Sequence, residues 1–420
     1  MTPVERRRAA LLFAAALLVR LAAIPLSEHP EIRPLTDAVQ YDEMARAFVA
    51  GEWLTPLVVR EPGYPAFLAL AYALPGPEIP VRHALQSLLG AAVPALLYLG
   101  LAPFLRERVR LVAALAIAGN LHLIRQTALP LRENLVAALA AIALVALLRA
   151  LHRPSAARLA GAALALSMLA HTDARFLALL ATIPLVARLG GESRAWRSTV
   201  WIVAVSLALL VPWAMRTHAA TGRVILLSER TLDKWLPRAF PETGDGAEGT
   251  PRQWLAGWER ATESRRDGMS AEERAAFDAG VRPATGRLAT YGFRWLEYWR
   301  FARTAPAYFP WPDGRFAPSW STRHHAASAL TLVPLLAFLP FFLCRAPSRE
   351  RGVLLAIAAL VLTHAILHVI VHARERYRIP IEPWLAVLAA SGAVGVLQSI
   401  RTSLRTPEIA TLPSPRARTK

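Results

Sequence analysis

Cysteine is almost missing. Cys344 stands alone at the end of an apolar run, so no intrachain disulfide can form. Charge is scarce and one-sided: 19% of the 420 residues are Asp, Glu, Lys or Arg, below the roughly 25% of an ordinary soluble domain. Acids are the rarer kind, 30 against 48 bases, for a formal net charge of +18. No internal repeat is found, which speaks against a transporter built of inverted halves. The one G-x-G-x-x-G match, Gly244 to Gly249, follows Pro241 in a polar stretch with no strand before it, and reads as a loop rather than a dinucleotide site.

What fills the chain is apolar, 55% hydrophobic with a mean hydropathy of +0.34. Between the charge clusters lie Ala/Leu/Val runs of about 17 to 22 residues, the length that crosses a bilayer core as a helix. A charge of +18 would suit nucleic acid, but its placement argues against that partner. Arg6 to Arg8, the Arg106–Arg110 and Arg149–Arg158 groups, Arg188 with Arg194 and Arg197, Arg345 to Arg351, and Arg401 with Arg405 all flank apolar spans. That distribution is a positive-inside signal, with membrane lipids as the surroundings. The N-terminal run Ala9 to Leu26 contains Arg20 and lacks a small-residue cleavage site, so it reads as a retained first span.

The expected architecture is an all-α polytopic membrane protein, a bundle of about ten transmembrane helices with a long first extracytoplasmic loop and a helical outer region. Residues 1–215 form an N-terminal transmembrane module whose first outer loop is 27–80; 216–325 is the extracytoplasmic helical region; 326–400 holds the last helices and 401–420 a cytoplasmic disordered tail. The chain is expected in the cytoplasmic (inner) membrane with both termini cytoplasmic and the working face extracytoplasmic. Gly63 to Leu74 is too short to cross and reads as interfacial or re-entrant. In the outer region Thr250-Pro251 opens a helix, and Ser270 with Glu273 makes a capping box.

The stretch EIRPLTDAVQYDEMARAFVAGEWLTPLVVREPGYP, Glu31 to Pro65, is far more polar than a simple turn requires. In a helix starting near Asp37, Asp37, Tyr41, Met44, Ala45 and Phe48 share one face, while Asp42 and Glu43 point elsewhere and Asp42 pairs with Arg46. Asp37 is also a good N-cap, with Gln40 completing a box. The two roles are compatible, since a capping carboxylate can still accept a proton. Arg374, Arg376 and Arg378, beside Tyr377, lie where the charge rule disfavours them; they either snorkel to headgroups or bind phosphate. Arg60, and Arg132 with Glu133, read equally as interfacial ion pairs or parts of the same pocket. His364, His368 and His372 line one stripe of a span. No carboxylate stands at ligand spacing on that helix, so the stripe reads as polar lining; a divalent metal stays open without support from ligand spacing, and no other cofactor is indicated.

The segments TDAVQYDEMARAFVAGEW, REPGYPAFLALAYALPG and VRHALQSLLGAAVPALLYLGL, then PWAMRTHAATGRVILLS and finally RERYRIPIEPWLAVLAASG, follow one another in an order that resembles the GT-C glycosyltransferases. The branch of the protein O-mannosyltransferases and lipid A aminoarabinose transferases is the nearest in pattern. Ala38 stands where an acid often follows the Asp in that pattern, and Thr217 where Asn is common. The resemblance implies a GT-C-like bundle and inverting transfer of a sugar from a polyprenyl-phosphate donor to a hydroxyl of an envelope glycan, lipid or protein acceptor. It makes Asp37 the general base, with Tyr41 beside it. Arg374, Arg376, Tyr377 and Arg378 become the cationic end for the leaving phosphate, seconded by Arg60, Arg132, Glu133 and His372. The alternatives are a transporter or lipid flippase, or a non-catalytic membrane scaffold.

Overall fold

The computed structural model describes residues 2–26, 37–54, 60–190, 195–228, 295, 298–299, 308–310, 316–318, 322–371 and 375–405. Most of the outer region expected over 216–325, with its two predicted helix starts, lies outside these residues, as does most of the tail.

Helix α1 (Pro3–Ala23) starts on a capping box: Thr2 Oγ1 accepts from Glu5 N at 3.2 Å, and Glu5 Oε2 accepts from Thr2 N at 3.0 Å, with Pro3 at the first helical position. Ala9, Leu12, Ala16 and Arg20 are its buried residues, spaced by three and four. Leu11, Leu18 and Val19 stay exposed, as lipid-facing side chains do. The buried stripe lies antiparallel on α4 (Glu78–Gly100), with Ala9 and Leu12 against Tyr98 at one end and Arg20 against Gly90 at the other.

The chain continues through α5 (Glu107–Ala118), the short α6 (Leu121–Gln126), α7 (Glu133–His152), α8 (Ala156–Thr172), α9 (Ala178–Leu189), α10 (Ala195–Ala208) and α11 (Val211–Thr221). After the outer region come α12 (Thr322–Phe338), α13 (Ser348–Val371) and α14 (Glu382–Arg405). The break between α5 and α6 is chemical: Asn120 accepts from Leu123 N and starts the new helix. Pro212 near the start of α11 divides it from α10, and Gly222, at φ +71°, takes the left-handed position that ends it. Trp213 Nε1 then donates to Leu227 O and Thr217 Oγ1 to Ile225 O, so the PWAMRTH segment holds its own return loop.

Helix α7 is buried on nearly every side, as its unbroken Ala/Leu/Val sequence dictates, and packs among α4, α8 and α14. Trp384 of α14 donates from its indole to Ala140 O at 3.2 Å in this core. Among the described residues, five helical segments are long and apolar enough to cross a bilayer: Glu78–Gly100, Glu133–His152, Trp196–Thr221, Ser348–Ile370 and Tyr377–Ser403. The chain is a multi-pass membrane protein. The expected first span is the 21-residue α1, which carries five charged residues, whereas α5, α8, α9 and α12 are shorter. The departure from pure helix among the described residues is a small antiparallel hairpin, β1 (Tyr308–Pro310) with β2 (Phe316–Pro318), where Phe309 faces Ala317. Pro310 and Pro318 end its ladder.

The arginine-rich turns gather at one end of the bundle. There Arg106 donates from its backbone and Nε to Glu350 (2.8 and 3.0 Å) and from Nη1 to Gln398, and Arg110 reaches Glu5 and the Tyr98 carbonyl. The opposite end carries α2 (Asp37–Val49) and α3 (Gly63–Ala73), packed on each other and on α4 and α8. Helix α3 is 11 residues long, too short to cross, in line with its reading as a non-spanning segment.

It docks through its first residue. A Cβ on Gly63 would lie 2.3 Å from Thr172 Oγ1 and 2.9 Å from the Thr172 backbone at the end of α8. Gly63→Ala is expected to lose about 1–3 kcal/mol, read as a lower thermal unfolding midpoint in detergent.

Candidate functional site

Asp37 is the first residue of α2, and Gln40 and Tyr41 follow it on one face at three and four residues. That face grips Arg60. The guanidinium bonds Asp37 Oδ1 through Nη2, donates from Nε to Gln40 Oε1 at 2.6 Å, and lies 5.4 Å from the centre of the Tyr41 ring. Gln40, expected to complete a capping box, thus has its side-chain oxygen on Arg60. Asp37 keeps 20% of its side chain exposed, while Arg60 keeps 6%. The carboxylate is the open member of the pair.

The other acids of α2 turn away, as the helical spacing requires. Asp42 accepts from Arg46 at 2.9 Å and from Tyr72 Oη at 2.6 Å; Arg46 continues to Glu78, and Glu43 is exposed.

Beside Arg60 in sequence, Glu61 accepts from Arg132 Nη1 at 2.6 Å. Arg132 stands just before α7; it also donates to the Thr172 carbonyl at 3.0 Å and approaches Asp173 at 3.4 Å. Asp173 closes α8 and caps the 3-10 turn Ala174–Leu177 by accepting from Arg175 N. Its carboxylate takes both Nε (2.7 Å) and Nη2 of Arg175, whose guanidinium lies 4.0 Å over the Tyr377 ring. Glu133 is buried next to Arg132 and acts on it electrostatically. The result is a chain of alternating charge, Asp37–Arg60 and then Glu61–Arg132–Asp173–Arg175, joining the loop before α3 to α2, α7 and α8.

Burial alone would raise the Asp173 carboxyl, but Arg132 and Arg175 overcome it and hold the group well below the usual carboxylate range. The sign follows from that direction. A carboxyl depressed in the folded protein contributes stability that is present above its unfolded value and lost as pH falls through its folded one. Asp173→Asn should therefore cost the same stability at every pH from neutral down to near the unfolded value, with the gap from wild type closing only under stronger acid. Unfolding midpoints measured against pH check this. The Tyr41 phenol is pushed up to about 12, chiefly by burial, against the pull of Arg132 and Arg60. At neutral pH it is a proton-bearing platform for Arg60, edge-on to Tyr64 with ring centres 5.0 Å apart.

Two further expected groups sit deeper. Arg378 is buried, donating to Glu382 at 3.4 Å and to the Tyr298 carbonyl. Glu382 is held in turn by His122 Nδ1 at 2.9 Å and Asn120 Nδ2 at 2.8 Å. His364 and His368 face the interior against Tyr298, whose hydroxyl is 2.8 Å from His364 Nδ1. Arg376 belongs to the 3-10 turn Glu375–Ile381, and His372 and Arg374 lie outside the described residues. Glu61, Asp173, Arg175, Glu382 and His122 were given no role in the site from sequence. The only local sign was the acid-base alternation of Arg60-Glu61 and of Asp173-Ala174-Arg175. Among the described residues no three or more His, Cys, Asp and Glu side chains converge as a metal-ligand set.

No family model and no curated protein sequence matches the chain. Solved structures do. The archaeal oligosaccharyltransferase AglB of Archaeoglobus fulgidus, in complex with an inhibitory peptide and a dolichol-phosphate, superposes with a TM-score of 0.54 at 13% identity, over 97% of this chain and 53% of its own. ArnT of Cupriavidus metallidurans bound to undecaprenyl phosphate superposes with a TM-score of 0.55 at 15% identity, over 94% of this chain and 63% of its own. The chain therefore spans between half and two thirds of the length of the structures it matches. At these identities the likeness concerns architecture, and it agrees with the order of motifs along the sequence: this multi-pass helical bundle has the GT-C fold.

Proposed function

We propose that the protein is a membrane glycosyltransferase that moves a sugar from a polyprenyl-phosphate donor to an acceptor hydroxyl, with inversion, on the outer face of the cytoplasmic membrane. The observation that carries this reading is the Asp37–Arg60 pair: an oriented, partly exposed carboxylate at the end of a chain of buried arginines. Dolichol-phosphate and undecaprenyl phosphate in the AglB and ArnT structures support a lipid-phosphate donor.

In this mechanism Asp37 accepts the proton of the acceptor hydroxyl as its oxygen attacks the anomeric carbon. The bond from that carbon to the phosphate oxygen breaks in the same displacement, which inverts the centre. The electron pair leaves on the lipid phosphate, whose growing charge draws on Arg60 and Arg132, each already oriented by a carboxylate. Arg175 and Tyr377 position Asp173, and through it Arg132. Sidedness rests on charge: the Arg106, Arg110 and Arg149 end is the cytoplasmic one by the positive-inside rule, so Asp37 faces outward. Envelope glycans, lipids and protein hydroxyls are all acceptors of suitable chemistry.

Purified protein in proteoliposomes should release polyprenyl phosphate from at least one polyprenyl-phosphate-linked monosaccharide in the presence of envelope extract. A deletion strain should lack one sugar by mass spectrometry of its envelope. An unchanged envelope together with no release from any donor would overturn the reading.

A further inference from the structure

Among the buried arginines, Arg60, Arg110, Arg132, Arg175 and Arg378 each meet a carboxylate. Arg20 does not. It is 0% exposed on the inner face of α1, where Nη1 donates to the Ala16 carbonyl at 3.1 Å, and Nε and Nη2 have no hydrogen-bond partner among the described residues. A guanidinium in a membrane-spanning helix without a counter-charge is costly and marks a functional position.

The surroundings are shaped for it. On α4, a Cβ at Gly90 would lie 2.6 Å from Arg20 Nε and 3.0 Å from Asn134 Oδ1, so glycine there makes the room the guanidinium occupies. Asn134 of α7 is fixed by donating to the Gln86 carbonyl at 2.7 Å. One turn outward from Gly90 on the same α4 face, Ser87 Oγ and Gln86 Oε1 are buried and also lack hydrogen-bond partners among the described residues. A guanidinium, a hydroxyl and an amide oxygen thus lie on the facing sides of α1 and α4, with Asn134 of α7, the residue after Glu133, beside them.

We propose that this pocket binds the phosphate of a lipid. The cation calls for an anion, and the hydroxyl adds a donor to a phosphate oxygen. The α1 flanks beside it, Val19 and Leu21, are exposed apolar surface, so the ligand that arrives there carries a hydrocarbon body. The anionic group of a membrane lipid is most often a phosphate. The proposal is separate from the transfer reaction and is read by binding alone.

The test uses delipidated full-length protein in detergent, with undecaprenyl phosphate, phosphatidylglycerol, undecaprenol and inorganic phosphate as probes, read by native mass spectrometry and thermal unfolding. Wild type should bind at least one of the phosphate-bearing lipids about tenfold or more tightly than Arg20→Gln, and undecaprenol no better than that variant does. Without ligand, Arg20→Gln should be at least as stable as wild type, because a buried unpaired charge is gone. Gly90→Ala is the second variant: its methyl meets the flexible end of Arg20 rather than backbone, and it should weaken lipid binding in the same sense. Preference for undecaprenyl phosphate or for phosphatidylglycerol identifies the carrier or a bilayer lipid as the source, and a response to inorganic phosphate identifies the free anion. Equal binding of every probe by wild type and both variants, or undecaprenol binding as tightly as its phosphate, overturns the proposal and leaves the pocket to water.

Discussion

Asp37→Asn should reduce sugar transfer by about a hundredfold to ten-thousandfold, the range a positioned general base supplies, while the protein folds and extracts as wild type. The two halves of that expectation have different sources. Asparagine has the shape of aspartate and opens a first helical turn without strain, so α2 keeps its start. Its amide oxygen can still accept from Arg60, so the loop that Arg60 ties to α2 keeps its anchor. Only the proton acceptor is lost. Release of polyprenyl phosphate from the donor, followed under single-turnover conditions, is the measurement that isolates the step. A variant that transfers at near the wild-type rate would remove Asp37 from the chemistry, and a variant that fails to fold would make the carboxylate structural. Tyr41→Phe keeps the ring beneath Arg60 and should cost far less than Asp37→Asn, since a phenol pushed up to about 12 takes no proton at neutral pH.

The parts of the site that periodicity can reach were legible in the sequence. Helical spacing alone separates Asp37 and Tyr41 from Asp42 and Glu43, and the structure has Asp42 on Arg46 and Tyr72, away from Arg60. Length alone keeps Gly63–Ala73 from crossing. A span count from apolar runs does not show where helices break: the helix leading into PWAMRTH begins at Ala195, breaks before Pro212 and resumes to Thr221. The counter-charges were out of reach for a different reason. Glu61 and Arg132 are 71 residues apart, and Glu382 reaches His122 across 260, so no window contains both partners. A lone acid in a turn then looks like a solvated residue. Asp173 and Glu61 became parts of the site only when the packing of α3 on α8 brought three segments to Arg132.

Arg132→Met should have the second large effect, and its pattern separates two roles for one residue. As a brace, Arg132 joins the loop before α3, the end of α8 and the start of α7 through Glu61, the Thr172 carbonyl and Asp173. Removing it strands Glu61 as a buried carboxylate with its cation gone and leaves Asp173 with Arg175 alone. Loss of one partner of a buried pair costs about 3–5 kcal/mol, here a fall in the thermal unfolding midpoint together with loss of transfer. Adding Glu61→Gln should restore much of the midpoint, because the stranded charge is then also gone, and the double-mutant cycle measures the coupling. Activity should not return with it if Arg132 also meets the leaving phosphate. Recovery of both stability and transfer in the double variant makes Arg132 a brace alone; recovery of stability without transfer assigns it a second contact, to the phosphate. The neutral swap can make that distinction because the charges at this end alternate: each arginine is already oriented by a carboxylate, and a departing phosphate has to share a guanidinium that the fold has aimed in advance.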